Sequence, residues 1–278
     1  MLAMIKALIL HATGTNRDRE AAWAVEMAGG EATILHVNAL RQHPNRLHDF
    51  QMLILPGGFS YGDALGAGRL LASDLRWLFE VELARFIEAD RPVLGICNGF
   101  QALVKSGWLP GPAADVPVQS PKTRVEATLA RNASNRFECR WVWLEANPDS
   151  PCVFTRGLAR GGLRRIICPV AHGEGRFVPA EGVLERLQAH EQIALTYVPD
   201  GAPGKGERSQ GAAAYPANPN GSVADIAGIC NQRGNVLGLM PHPEDHIVRW
   251  QHPRWTRGET EGLALGIFAE GVEYARNL

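Results

Sequence analysis

The chain has 278 residues, 45% of them hydrophobic and 21% charged, with 28 Lys and Arg against 29 Asp and Glu. A chain this long buries roughly three quarters of its unfolded surface and needs neither disulfides nor metals to hold a core. A formal net charge of -1 lacks the basic excess that meets nucleic acid or an acidic membrane, so a small-molecule site or a protein partner is expected. The five cysteines, Cys97, Cys139, Cys152, Cys168 and Cys230, are odd in number, widely spaced and without a C-x-x-C pair, which argues against a disulfide framework or a zinc ribbon. No run of about 18 apolar residues offers a membrane span. The apolar start around Lys6 reads as a first strand and not as a signal peptide. Free thiols without an export signal point to the cytoplasm.

The first hundred residues alternate short apolar runs with longer helical patterns, the signature of βαβ units and a parallel sheet. Ile5 to Leu10 reads as a strand, followed by a Gly14-Thr15-Asn16 turn and a helix from about Arg17 to Met27. Ala32 to Val37 and Met52 to Leu55 are the next two strands, the latter stopped by Pro56-Gly57-Gly58. Between about Asp74 and Ala89, the residues Leu75, Leu78, Phe79, Leu83, Phe86 and Ile87 fall on one face of a helix. Pro92 to Ile96 is a buried strand and Gly99 to Trp108 the helix after it.

Beyond Trp108 the pattern loosens into loops, with strands at Arg140 to Leu144 and Ile166 to Val170. Pro199 to Ser222 has almost no large apolar residues and reads as a long loop. Ala224 to Asn231 and Val236 to Met240 flank an Asn-Gln-Arg-Gly turn and form a hairpin, and a helix from about Glu259 to Arg276 follows. The expected architecture is a single α/β domain over 1–278. Its core is a flavodoxin-like open, mostly parallel sheet flanked by helices, with β-rich elaboration in the second half and insertions at about 111–216.

Cys97 lies in Gly95-Ile96-Cys97-Asn98-Gly99, where an apolar strand meets a helix. This is the thiol counterpart of the G-x-S-x-G nucleophile elbow. The turn forces strained dihedrals and close packing, which glycines tolerate. It lifts the sulfur above the sheet edge and aims the Asn98 N–H, at the helix start, toward an anion forming beside it. A free thiol is only a few per cent ionised at pH 7, so such a nucleophile needs a base. The candidate is His242 in Met240-Pro241-His242-Pro243-Glu244. Pro243 biases His242 toward an extended conformation, in which residues two apart point the same way. Glu244 can then accept from one imidazole nitrogen while the other faces Cys97. Metal binding by His242 and His246 is disfavoured, because Pro243 interrupts any helix that would place both rings on one face. No metal site is expected.

Gly95 to Gln101 together with Pro241-His242-Pro243-Glu244 resembles the class I (triad) glutamine amidotransferases. Four further stretches narrow the resemblance to those that serve as glutaminase components of phosphoribosylformylglycinamidine synthase in purine biosynthesis: Gly14 to Glu20, Leu55 to Asp63, His172 to Phe177, and Asn218 to Ser222. The likeness runs from about residue 5 to 273. It implies that Cys97, His242 and Glu244 are catalytic and hydrolyse glutamine to glutamate and ammonia through a thioester on Cys97. It also implies that the N–H groups of Gly58 and Asn98 form the oxyanion hole, and that Phe59, Gln101, His172, Gly173 and Glu174 contact the substrate. His172 and Glu174 could equally be a polar strand end or a partner contact, and Tyr61, Asp63 and the Asn218 to Ser222 loop could serve an interface.

The chain shows no Walker-type loop. The resemblance implies no cofactor here, ATP and magnesium on a partner synthetase subunit that receives the ammonia and makes formylglycinamidine ribonucleotide, and in many cases a small bridging subunit. Two departures stand out. Asp245 and His246 follow Glu244 where the family usually has a basic residue, and the chain is longer than compact members, with the excess placed between about Gly111 and Pro216. Two readings of other kinds remain: another cysteine-nucleophile hydrolase or an amidotransferase of a different pathway, and a noncatalytic scaffold or regulatory subunit.

Overall fold

Short uncharged runs rich in Leu, Ile and Val make the central strands, because strands buried on both faces must be apolar along their whole length. The computed structural model describes residues 4–112, 125–160, 165–200 and 213–278. Its first half contains β1 (Lys6–His11), α1 (Asp18–Met27), β2 (Glu31–His36), α2 (Val37–Gln42), β3 (Met52–Leu55), α3 (Arg69–Trp77), α4 (Glu80–Glu88), β4 (Val93–Ile96) and α5 (Asn98–Ser106). Then come β5 (Ala127–Ala130), β6 (Glu138–Ala146), α6 (Arg156–Arg160), β7 (Arg165–His172), β8 (Arg176–Pro179), α7 (Val183–Ala189), β9 (Ile193–Val198), β10 (Ile226–Cys230), β11 (Val236–Leu239) and α8 (Leu265–Arg276).

One nine-stranded sheet has the order β2-β1-β3-β4-β11-β10-β9-β6-β7, and β5 and β8 pair separately. From β2 to β11 every pairing is parallel, and from β11 to β7 every pairing is antiparallel. The parallel half has the flavodoxin-like order, with β11, from late in the chain, as its fifth strand. The antiparallel wing is the β-rich elaboration expected of the second half. The residues of α5 are nearly all buried, and Phe100 on this helix stacks on Phe177 of β8 with ring centroids 6.4 Å apart.

Most boundaries expected from the sequence hold within a residue or two, and the 226–239 hairpin forms as read. The single helix expected over 74–89 is instead two. It breaks at Leu78 and Phe79, where Phe79 leaves helical geometry and caps α4. The break turns Phe79 fully inward and leaves Leu78 at the surface. The last helix starts at Leu265, later than expected, because the preceding chain is drawn against β7: Ile167 N–H donates to Gly262 O at 2.8 Å. Part of the 199–222 loop, residues 201–212, lies outside the described residues, as does 113–124 of the expected insertion. The Asn218 to Ser222 stretch is mostly buried, with Gly221 exposed. Asn218, Asn220 and Ser222 are buried and bonded to one another, and Ser222 Oγ accepts from Phe177 N–H at 3.0 Å. All five cysteines are free. No helix among the described residues is long and apolar enough to cross a membrane.

Candidate active site

Cys97 has φ +49° and ψ −100°, a conformation that costs a non-glycine residue on the order of 1–3 kcal/mol and persists only where the surrounding structure enforces it. The flanking glycines make the turn possible. A Cβ on Gly99 would lie 2.0 Å from Leu55 O, and one on Gly95 would lie 2.5 Å from Leu103 Cδ1. A side chain at either position would force α5 away from β3 and β4. The Cys97 N–H donates to Leu239 O at 2.8 Å, which ties the elbow to the neighbouring β11. The thiol is 4% exposed and its sulfur is 3.9 Å from Ala171 O on β7.

Because β11 runs parallel to β4 with Leu239 opposite Ile96, the chain leaving β11 emerges beside the elbow. His242 N–H donates to Pro169 O at 2.8 Å, and its Nδ1 is 2.7 Å from Glu244 Oε1. The expected extended run stops at His242. Pro243 begins a 3-10 turn over Pro243–Asp245, and that turn returns the fully buried Glu244 carboxylate to the imidazole. The Nε2 of His242 has no hydrogen-bond partner among the described residues. A Cβ on Gly57 would be 2.5 Å from His242 Cε1 and 3.5 Å from Cys97 Cβ, so the imidazole and the Cys97 side chain share the space this glycine leaves open. Burial alone would lower the proton affinity of His242, but the charges of Glu244 and of a Cys97 thiolate outweigh it and hold the pKa well above the ordinary value.

Gly58 follows β3 with φ +132°, which only glycine adopts readily. Asn98 begins α5, where first-turn N–H groups have no intrahelical acceptor. Neither N–H has an acceptor among the described residues. The Asn98 side chain is fully engaged. Its Oδ1 accepts from Ser60 Oγ at 2.5 Å, and its Nδ2 donates to Asp63 Oδ1 at 2.9 Å and to Gln101 Oε1 at 3.1 Å.

Gln101 Nε2 donates to Glu174 O at 2.6 Å, and the Glu174 carboxylate pairs with Lys105 Nζ at 3.1 Å. Gln101 thus links the elbow helix to the 172–175 segment. Gly173 O accepts from Asn132 N–H at 2.9 Å. His172 is buried, and its Nδ1 donates to Asn132 Oδ1 at 3.1 Å, an acceptor shared with Gly175 N–H. Burial, and next the charge of nearby His242, lower the His172 pKa to about 3, so the ring is neutral with its Nε2 unpartnered. Phe59, beside Gly58, is 43% exposed. The structure therefore brings the expected residues to one end of the parallel half-sheet. It adds Asn132 and Lys105, which no sequence pattern marks because their partners at the site are distant in the chain, and gives Ser60, within the Leu55 to Asp63 stretch, a bond to Asn98. Tyr61 and Asp63 turn inward as well: Tyr61 OH donates to Asp74 at 2.5 Å, and Asp63 accepts from Asn98.

Among the described residues, His242, Glu244 and Asp245 are the one group close enough to hold a metal. The Nδ1 of His242 and the Oε1 of Glu244 are already joined by their hydrogen bond, which is the geometry of an oriented base. His246 points elsewhere, with its Nδ1 donating to Ile167 O at 2.6 Å.

A thiol on a strained elbow beside a carboxylate-anchored imidazole, carried on a flavodoxin-like sheet, is an arrangement that suits a cysteine nucleophile with an oriented base. Residues 4–275 match the CobB/CobQ-like glutamine amidotransferase domain, and the chain belongs to that family. Within it, the chain is 47% identical to phosphoribosylformylglycinamidine synthase subunit PurQ of Treponema denticola, over 97% of this chain and 98% of that one. It is 43% identical to the PurQ subunit of Dehalococcoides mccartyi over the whole of both chains. A solved PurLQS structure from Thermotoga maritima superposes with a TM-score of 0.70 at 31% identity, covering 98% of this chain and 99% of that chain.

Proposed function

We propose that this chain is the glutaminase subunit of a phosphoribosylformylglycinamidine synthase, working on glutamine and passing ammonia to a synthetase subunit, with a small bridging subunit in the complex. The observation that carries the reading is the 2.7 Å bond between His242 Nδ1 and Glu244 Oε1, made on the strand exit next to the Cys97 elbow, with Nε2 left for the thiol.

In the proposed reaction His242 takes the Cys97 proton and the thiolate attacks the side-chain amide carbon of glutamine. Glu244 stabilises the imidazolium that results. The charge that develops on the amide oxygen falls to the N–H groups of Gly58 and Asn98, each worth about 3 kcal/mol of barrier in comparable sites. The imidazolium protonates the leaving nitrogen, ammonia departs, and a γ-glutamyl thioester remains. His242 then activates water, which releases glutamate. Gln101, with Phe59 and the His172, Gly173 and Glu174 segment, borders the space for the amino-acid end of glutamine. ATP and magnesium belong to the synthetase partner, and the chain itself carries no cofactor. Free thiols are consistent with a cytoplasmic setting.

The test is Cys97→Ala in the assembled complex. Glutamine-dependent amidine formation should disappear while activity with ammonium salts persists. Loss of both with the complex intact would defeat the ammonia-donor role. Unchanged glutamine-dependent activity would defeat the nucleophile assignment.

A further inference from the structure

The Gly14 to Glu20 stretch is distinctive in the sequence, yet the chemistry above does not use it. In the structure its first part runs antiparallel to the segment that carries Gly58. Tyr61 N–H donates to Thr13 O at 2.5 Å, Phe59 N–H to Gly14 O at 3.1 Å and Arg17 N–H to Gly57 O at 3.3 Å, and Thr15 and Gly58 form an isolated antiparallel bridge. The two segments meet without slack. A Cβ on Gly14 would lie 2.1 Å from Phe59 O, and one on Gly58 would lie 2.6 Å from Asn16 N.

A planar trans peptide directs its C=O and the N–H of the next residue to opposite sides. The Arg17 N–H, by holding Gly57 O, therefore fixes where the Gly58 N–H points, which is away from the 13–17 loop. Gly57 itself faces His242 and Cys97. The Arg17 side chain extends the same connection to the base. Its Nε is 3.6 Å from Asp245 Oδ2 and its Nη1 is 3.3 Å from Glu20 Oε1, and Asp245 directly follows the triad carboxylate. Burial and then the Glu244 charge push Asp245 up to about 6, and the charges of His242 and Arg17 act against that rise. The Arg17 guanidinium thus helps keep an anion beside Glu244.

We propose that Arg17 is a positioning residue of the glutaminase reaction: its main-chain N–H sets the direction of the Gly58 N–H, and its side chain ties that setting to the Asp245 turn that carries Glu244. This rests on the reading of Cys97 as nucleophile and Gly58 as oxyanion donor.

The experiment compares wild type, Arg17→Met, Arg17→Lys, Asp245→Asn and the Arg17→Met/Asp245→Asn double variant in complex with the synthetase partner. It measures kcat and KM for glutamine hydrolysis, and the alkylation rate of Cys97 by iodoacetamide, resolved from the exposed Cys139 by peptide mass spectrometry. Alkylation needs the thiolate but no oxyanion donor. Arg17→Met should lower kcat about 10- to 100-fold, less than the 10²–10³ that follows outright loss of a donor, with KM and alkylation changed less than about twofold. Arg17→Lys should recover part of the loss, and Arg17→Met should cost less in the Asp245→Asn background, because its ion-pair partner is gone. Unchanged kcat in Arg17→Met, independent multiplication of the two losses, or alkylation falling in step with kcat would overturn the proposal. A wild-type complex that is alkylated but hydrolyses no glutamine would instead defeat the functional reading itself.

Discussion

Glu244→Gln removes one charge from the centre of the site with almost no change of shape. The carboxylate is fully buried and its Oε1 is 2.7 Å from His242 Nδ1. For charge centres about 4 Å apart at an effective dielectric near 20, its attraction for an imidazolium is about 4 kcal/mol. That is on the order of a thousandfold in the population of protonated imidazole. Without it, only Cys97 opposes the burial that lowers the basicity of His242. The proposed reaction needs the imidazolium twice, as the partner of the thiolate and as the donor to the leaving nitrogen. Glutamine-dependent kcat should therefore fall about 10²- to 10⁴-fold, while activity with ammonium salts stays within about twofold. The pH dependence of stability has a definite sign. The folded pKa of His242 is raised, so its contribution is fully present below the unfolded value of about 6.5 and is lost as pH rises through the folded value. The stability advantage of wild type over Glu244→Gln should shrink as pH climbs above about 6.5, as followed by urea unfolding. A Glu244→Gln complex that keeps kcat within about threefold would refute the reasoning, as would equal loss with glutamine and ammonium.

Gly99→Ala places a Cβ 2.0 Å from Leu55 O and should lower the unfolding free energy by about 1–3 kcal/mol, read as a lower urea midpoint at unchanged m-value. Gly62→Ala has open space but φ +64°, and should cost only about 1 kcal/mol; equal losses in the two would contradict the packing argument for the elbow. His172, with its pKa lowered to about 3, should show no imidazole titration between about pH 5 and 8 by NMR. Its linkage predicts stability lost as pH falls from about 6.5 toward 3, where the unfolded chain binds the extra proton. A titration midpoint near the ordinary value would place the ring in water. Gln101→Ala leaves Glu174 O without its donor and removes one of the two acceptors of Asn98 Nδ2, a penalty of about 1–3 kcal/mol, and should raise KM for glutamine about 5- to 100-fold with a smaller effect on kcat; an unchanged KM would remove Gln101 from the substrate site.

The parallel half of the fold was readable because its strands are continuous apolar runs bounded by glycine and proline, and because the helices between them have one apolar face each. The elbow is readable because the strained turn at Cys97 leaves a short G-x-C-x-G pattern, although the atoms that exclude a Cβ at Gly99 belong to Leu55 on β3. Other features depend on partners far along the chain. The 74–89 helix has the periodicity of one element, and only the packing of Phe79 and the exposure of Leu78 reveal two. The strands β5 and β8 have four residues each and pair with a distant segment, so β-propensity alone does not single them out, whereas β9 carries the β-prone run Ile-Ala-Leu-Thr-Tyr-Val and is absent from the strands expected of the sequence. His242 and Glu244 were found as a pair, but the 3-10 turn that joins them was not. An extended H-P-E and a turned one have the same sequence, and the choice between them is made by the main-chain bond from His242 to Pro169 on β7.

That bond shows why the antiparallel wing matters to the chemistry. Adjacent parallel strands lie about 4.8 Å apart, so the exits of β3, β4 and β11 bring Gly58, Cys97 and His242 together although they are far apart in sequence. Each residue is then held by more than its own strand. The Cys97 N–H on Leu239 O continues the pairing of β4 with β11 past the last ladder residue, and His242 is held from the other side by Pro169. A slip of one residue between β4 and β11 would turn the side chains of a whole strand to the opposite face and remove the imidazole from the elbow. The register is guarded in the core as well as at the site. Gly238 pairs with Gly95, and a Cβ there would come 2.0 Å from Phe100 Cδ2, so the two glycines lie side by side under the elbow helix. The packing that lets α5 sit close to the sheet at Gly95 thus also places a glycine of β11 under Phe100.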